Sequence, residues 1–489
     1  MMRRLPGLLL ILSLFLGLGV VPAAADQTEK SPAKAAGEED VYKLQKLLVD
    51  TIDEVERNYV KDISRRELIE AAIRGVLREL DPYSSYIDPR EMRQFRTSVE
   101  SEFGGIGIQI AVDEGQLKVL SPLVGTPAYR QGILAGDRIV AIDDQPTESL
   151  SIDDAIQRLK GKEGTSVTLT VIHPNKTEPE KITVTREVIH VQTVLGDHRK
   201  ADDSWDYMLD AKKRIGYVRL TGFSRNTAAE LRQALKQLKE QDLKGLILDL
   251  RFNPGGLLSS AIEICDMFIA EGRIVSTKGR NTPERVWDAK KDGTYEGFAM
   301  VVLVNRFSAS ASEIVAACLQ DHKRAVIIGE RTWGKGSVQN VIELERGEND
   351  SAAGSALKLT TASYHRPSGK NIHRFPDADE DDEWGVTPDE GFQLKLSDID
   401  LVRLVEDRRK RDVIRPHSPS KAEPDKTAAE TEPAAQIAAD QPVDEPADGD
   451  KEVKAEKPVD EEKAEKPAWV DAQLQMAIDR LGSELAQAK

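Results

Sequence analysis

From about Val191 onward, short runs of apolar residues alternate with helical patterns. In order these are GYVRL, a helix over Thr227–Gln241, GLILDLR, a helix around LLSSAIEICDMFI, MVVLVN, a helix after Ser310, and AVIIG. Strands that are continuously apolar must be covered on both faces, and strands separated by helices build a largely parallel sheet. This pattern predicts an α/β core around a mixed, largely parallel sheet over residues 191–413. The flanks have other textures. Val41, Leu44, Leu48, Ile52, Val55 and Tyr59 recur at helical spacing and RRELIEAAIRGVLREL repeats the period, which predicts an N-terminal helical region over 38–102. Residues 103–190 carry short alternating strands, QLKVLSP and TSVTLTVI, with Gly136-Asp137 and one helix, DDAIQRLK, and read as a compact β-rich module. Residues 414–467 are rich in Pro, Ala, Glu, Asp and Lys, repeat KAEKP and hold no aromatic residue, the composition of a disordered acidic linker. Over 468–489, Val470, Leu474, Ile478, Leu481 and Leu485 mark a C-terminal amphipathic helix.

With 489 residues and 39% apolar composition, the chain has material for several cores. Its formal charge of −16 argues against nucleic acid as the main partner, since such binding rests on cationic contacts to phosphate. Arg3 and Arg4, the apolar run Leu8 to Val21 and Ala23-Ala24-Ala25 form a secretory signal over residues 1–25 with cleavage before Asp26. The alternative is an uncleaved anchor, so membrane contact arises only if the signal stays. Either way the body is exported, to the periplasm or another extracytoplasmic space. Cys265 and Cys318 sit within apolar helical patterns and read as buried, inert thiols, with a disulfide between them as the alternative in an oxidising compartment. The sequence has no HExxH and no CxxC pair, so neither metal nor cofactor is expected.

Ser308-Ala-Ser310-Ala-Ser312-Glu313 leads directly into the apolar run Ile314–Ala317. Ser310-x-x-Glu313 is a capping box, and only Ser310 of the three serines has a glutamate at the right offset. A helix N-terminus also stabilises an oxyanion through free N–H groups and its positive dipole end. A serine nucleophile needs a base, and the histidines offer no triad context: G-x-S-x-G is absent and His322 lies in a charged helix end. A lysine can replace histidine where burial keeps it neutral. In GERTWGKGSVQ, Lys335 lies between two glycines after the strand AVIIG, with Trp333 as apolar cover. Gln339, four residues on, shares its face if the strand is regular and can orient the ammonium. Asn253-Pro254-Gly255-Gly256 follows another strand end, where glycine amides can face an oxyanion together with the amide of Ala311.

NPGG, SASASE and GKGSVQ in this order resemble the C-terminal processing peptidases, the tail-specific serine proteases, over about Val41 to Phe392. The resemblance implies a multidomain α/β protease core with an inserted PDZ domain. It implies a Ser–Lys dyad in which Ser310 is nucleophile, Lys335 general base and Gln339 the orienter, with Glu313 an auxiliary polar residue. The implied oxyanion donors are Gly255 or Gly256 and Ala311. The implied carboxylate-binding loop is FGGIGI, namely Phe103, Gly104, Gly105, Ile106, Gly107 and Ile108. Substrates would be proteins or peptides with free C-termini, an adaptor protein is a further partner class, and the end helices would support a homodimer. The insert 373–383, HRFPDADEDDE, departs from the family pattern. Two rival readings are a catalytically inactive PDZ-bearing binding protein of the same fold and a Ser-His-Asp protease. The second normally carries its PDZ domain after the catalytic domain.

Overall fold

A computed structural model describes residues 36–92, 95, 102–113, 115–148, 150–346, 354–414 and 469–487. The segment read as a signal and nearly all of the acidic linker lie outside the described residues. The chain divides into two compact units, residues 1–75 and 76–489.

The first unit holds helix α1 (Ala36–Asn58) and the opening of α2 (Arg65–Arg78). Ser64 and Glu67 cap α2 reciprocally, and Arg65 reaches back to Asp53 and Glu56 of α1, which closes a helical hairpin. Val41, Leu44, Leu47 and Leu48 on α1 are each more than half exposed.

The second unit opens with β1 (Ser85–Ile87) and a β-rich module: β2 (Glu102–Gly105), β3 (Ile108–Asp113), β4 (Gln116–Pro122), α3 (Pro127–Arg130), β5 (Arg138–Ile142), β6 (Gln145–Pro146), α4 (Ile152–Leu159), β7 (Ser166–Ile172), β8 (Glu180–Thr185) and β9 (Glu187–His190). Its antiparallel sheet runs β3-β4-β5-β7-β8, with β3 at one edge and β6 added to β5, while β2 pairs with β9. Val167, Leu169 and Val171 alternate into a core with Ile106, Ile139, Ala155 and Leu159.

The chain continues through β10 (Val194–Leu195), β11 (His198–Arg199), β12 (Trp205–Asp206), β13 (Met208–Asp210), β14 (Ile215–Leu220), α5 (Thr227–Glu240), β15 (Gly245–Asp249), α6 (Leu258–Asp266), β16 (Arg273–Lys278), β17 (Arg285–Asp288), β18 (Ala299–Val304), α7 (Ala311–Asp321) and β19 (Val326–Gly329). β20 (Ser337–Glu343), β21 (Ala356–His365), α8 (Asp398–Asp412) and α9 (Ala472–Gln487) complete it. β14, β15, β18 and β19 are parallel neighbours, and β10 and β13 join β14 antiparallel, so the central sheet is mixed and largely parallel. A second, antiparallel sheet takes β1, β21, β16 and β17, with β20 on β21.

The period-2 alternation of the central strands sorts their side chains between two cores. Val218, Leu220, Leu246, Leu248, Val302 and Val304 face α5, α6 and α7. Ile215, Tyr217, Ile247, Val301, Leu303 and Ile328 face Leu474, Ala477, Ile478, Leu481 and Leu485 of α9. The apolar stripe of the C-terminal helix is therefore spent on the sheet of its own chain. This corrects the expectation that this stripe supports a homodimer: Ala477 and Leu481 are fully buried within one molecule. Among the described residues no helix is long and apolar enough to cross a membrane.

Candidate active site

Three loops leave the C-terminal ends of the adjacent parallel strands β15, β18 and β19, the edge where open α/β sheets place ligands. They bring together residues 250–256, 305–310 and 330–336.

Ser310 caps α7 with φ 55° and ψ −112°, a left-handed backbone that a non-glycine residue holds at a cost of about 1–3 kcal/mol. Its neighbours fix that turn. Ser308 and Ser312 are fully buried; the Ser308 hydroxyl donates to Leu250 O (2.9 Å) and accepts from Asn305 N–H (3.0 Å), and the Ser312 hydroxyl donates to Asn253 O (2.9 Å). The flanking serines thus tie the 305–312 loop to the preceding strand end, while Ser310 is partly exposed.

Asn253, read from sequence only as part of a turn, links both loops. Fully buried, it donates from Nδ2 to Leu220 O (2.9 Å) and accepts at Oδ1 from Gly255 N–H (2.9 Å), while its carbonyl accepts from Ala309 N–H (3.0 Å). Gly255 is thereby corrected as an oxyanion donor, because its N–H is already engaged. What it contributes is space: with φ +102°, a Cβ there would lie 2.8 Å from Ser310 Cβ and 2.9 Å from Ala311 N. The N–H groups of Gly256 and Ala311 have no hydrogen-bond partner among the described residues. Both remain available to an oxyanion.

Glu313 is fully buried, and its carboxylate accepts from Ser310 N–H (2.7 Å), Lys335 N–H (2.8 Å), Gly334 N–H (2.6 Å) and the Thr332 hydroxyl (2.6 Å). One side chain on α7 so fixes the serine to the lysine loop. Burial pushes its pKa up to about 7, while these four hydrogen bonds favour the ionised form.

Lys335 is partly buried. Burial, and then the like charge of Lys358, lower its pKa below the ordinary lysine value, with Glu313 opposing. The aromatic cover is not Trp333, which is 50% exposed, but Tyr83, whose ring centroid lies 5.1 Å from Lys335 Nζ. Among the described residues the ammonium has no hydrogen bond to Ser310 or to Gln339. The β20–β21 register shifts between Val338 and Gln339, so the regular strand face expected for Gln339 is broken. Its amide nitrogen instead donates to the hydroxyls of Ser337 (2.8 Å) and Thr360 (3.3 Å).

The G-K-G stretch is no free surface turn. Arg374 N–H donates to Gly334 O (2.8 Å), and a Cβ on Gly336 would fall 2.2 Å from His373 N. The 373–383 insert thus backs the lysine loop, and the flanking glycines permit its approach.

In the β-rich module, Phe103, Gly104 and Gly105 lie in β2, paired with β9, and Phe103 packs on Leu123 and Ile189. Ile106 is buried in the module core. Gly107 (φ +78°) turns the chain into β3, with its carbonyl accepting from Thr126 Oγ1 (3.0 Å). Ile108 begins β3, whose outer edge pairs with no strand among the described residues and lies beside α4, an arrangement open to an added peptide strand.

Likeness to known families identifies the chain as a serine-type peptidase carrying a PDZ domain. The profile of peptidase family S41 matches residues 214–391, that of the PDZ domain residues 118–172, and that of the activating protease CtpB N-terminal domain residues 14–91. A carboxy-terminal-processing protease of Bartonella bacilliformis is 38% identical over 77% of this chain and 83% of its own. A carboxyl-terminal-processing protease of Synechocystis sp. is 35% identical over 69% of this chain and 74% of its own. The solved photosystem II D1 C-terminal processing protease shares 29% identity over 72% of this chain and 93% of its own, with a TM-score of 0.40. The chain belongs to the carboxyl-terminal processing protease family.

Proposed function

We propose that this peptidase cleaves exported proteins by acyl transfer, with Ser310 as nucleophile, Lys335 as general base and the amides of Gly256 and Ala311 as the oxyanion site. The observation that carries the reading is Ser310, held at a left-handed backbone between two unpaired amides, with a desolvated lysine on the adjoining loop. In the reaction Lys335 leaves the Tyr83 ring, takes the Ser310 proton as Oγ attacks the scissile carbonyl, and returns it to the leaving amine. Gln339 is a positioning residue in this reading, and its oxygen, which has no hydrogen-bond partner among the described residues, receives the ammonium once Lys335 turns. The PDZ domain holds the substrate's C-terminus by strand addition along β3. Export follows from the N-terminal signal, and a homodimer and an adaptor complete the reading.

The test is incubation with an unstructured protein, with and without a blocked C-terminus, comparing wild type, Ser310→Ala and Lys335→Ala. Either substitution removes most activity and the double variant is little worse than each single one, since members of one catalytic unit are not additive. A Lys335→Ala variant that kept most of its turnover would refute the dyad, and equal cleavage of blocked and free substrates would refute C-terminal selection.

A further inference from the structure

Arg251 stands at the start of the turn that carries Gly255 and the proposed oxyanion donor Gly256, and its side chain is fully buried. Its guanidinium donates to Asp249 (2.7 Å), to both carboxylate oxygens of Asp471 (2.9 and 2.8 Å) and to Gln473 Oε1 (3.0 Å). Arg408 of α8 also binds Asp249, and Arg219 pairs with Asp412. Arg219, Arg251 and Arg408 are thus matched by Asp249, Asp412 and Asp471. Without Asp471, which lies 220 residues downstream, this interior is left with one uncompensated cation.

A second contact runs beside the first. Phe252, at φ +63°, stacks on Phe307 with ring centroids 5.3 Å apart, three residues before Ser310. Phe252 also packs against the cluster Leu396, Leu401 and Leu404, against which Trp469 packs as well, and Trp469 Nε1–H donates to Asp400 (3.1 Å). Gln473 Nε2–H donates to Leu394 O (2.6 Å). The far end of the chain therefore holds Arg251 directly and bears on Phe252 through the shared leucine cluster.

We propose that Trp469–Gln473 is a clamp on the oxyanion turn, with Asp471 a positioning residue acting through Arg251 and Trp469 acting through the leucine cluster that it shares with Phe252. Releasing this segment lowers turnover without touching the peptide-binding module. The proposal rests on the acylating role of the Ser310 site.

The test is Asp471→Asn in the full chain, which keeps shape and removes the charge. The expected result is a fall in kcat of about 10²-fold on a short ester, the scale of a small misplacement of reacting groups, with KM within about twofold. Hydrogen exchange quickens at the bonded amides of Phe252, Asn253 and Gly255 while strands β14, β15 and β18 keep their protection. Asp471→Glu, which restores the charge, recovers most of both. Should Asp471→Asn raise exchange throughout the core, Gln473→Met decides by the same two readings, because it leaves every charge matched and is expected to give a smaller fall in the same direction. Unchanged kcat, or lowered kcat with unchanged exchange at the turn, overturns the clamp. If wild type hydrolyses nothing, the catalytic reading has failed, and exchange at the turn still tests the clamp by itself.

Discussion

Glu313 gathers four donors from two segments onto one buried carboxylate, and a glutamine there presents a single acceptor oxygen. Glu313→Gln is therefore expected to lower kcat/KM by roughly 10-fold or more, through slack between the serine and lysine loops. Its effect on stability has a definite sign. A carboxyl whose folded pKa lies above its unfolded value contributes stability that is fully present below about 4.5 and lost as pH rises through about 7. Across that window the wild type loses on the order of 3 kcal/mol relative to Glu313→Gln, at about 1.36 kcal/mol per unit. Urea unfolding of both proteins at pH 4.5 and 8 measures it, and a difference that does not change with pH contradicts the raised pKa. With Lys335 as the proposed base, which works only when neutral, kcat/KM is expected to rise with pH. Lys358 helps to hold the pKa down, and Lys358→Ala should move the inflection to higher pH in a rate profile on a short peptide. A profile that stays in place would mean that Lys358 is screened from the site.

Among the elements, the parallel strands were legible because they are apolar on both faces, and the loops at their C-terminal ends were legible as NPGG, SASASE and GKGSVQ. What stayed hidden was long-range. Nothing near Lys335 in sequence points to Tyr83, and the bulge that turns Gln339 toward Ser337 and Thr360 follows from pairing with β21. Asn253 was visible as a residue, but its role depends on carbonyls and amides contributed by β14 and by the serine loop. The glycines of GKG carried the one usable signal of the insert's approach, two Cβ-free positions around a lysine. The edge strand of the PDZ domain yields a prediction at this scale. Gly107 holds φ +78°, and a Cβ there would fall 2.4 Å from Thr126 Cβ. Gly107→Ala should therefore distort the entry to β3, weaken binding of a free C-terminal peptide by about 10-fold or more, and leave short-ester turnover near wild type. Fluorescence polarisation and ester kinetics separate the two, and a parallel loss of both would place the module within the catalytic machinery.

For the whole molecule, the two amphipathic ends have different fates. The stripe of α9 is covered within its own unit, whereas α1 keeps Val41, Leu44, Leu47 and Leu48 more than half exposed. If the chain dimerises, α1 is the end that carries the contact, and Leu44→Glu with Leu48→Glu should turn a dimer into a monomer in light scattering while catalysis per site persists. A dimer indifferent to both changes would locate the interface elsewhere. The position of α9 also orders events in time. One whole face of the central sheet, from Ile215 to Ile328, waits for a helix that is made last among the described elements. While the ribosome is still adding residues 415–468, that face lacks its cover and Arg251 lacks Asp471. The proposed catalytic centre is thus expected to be among the last parts to settle, and the nascent chain passes most of its synthesis as a blade without its edge.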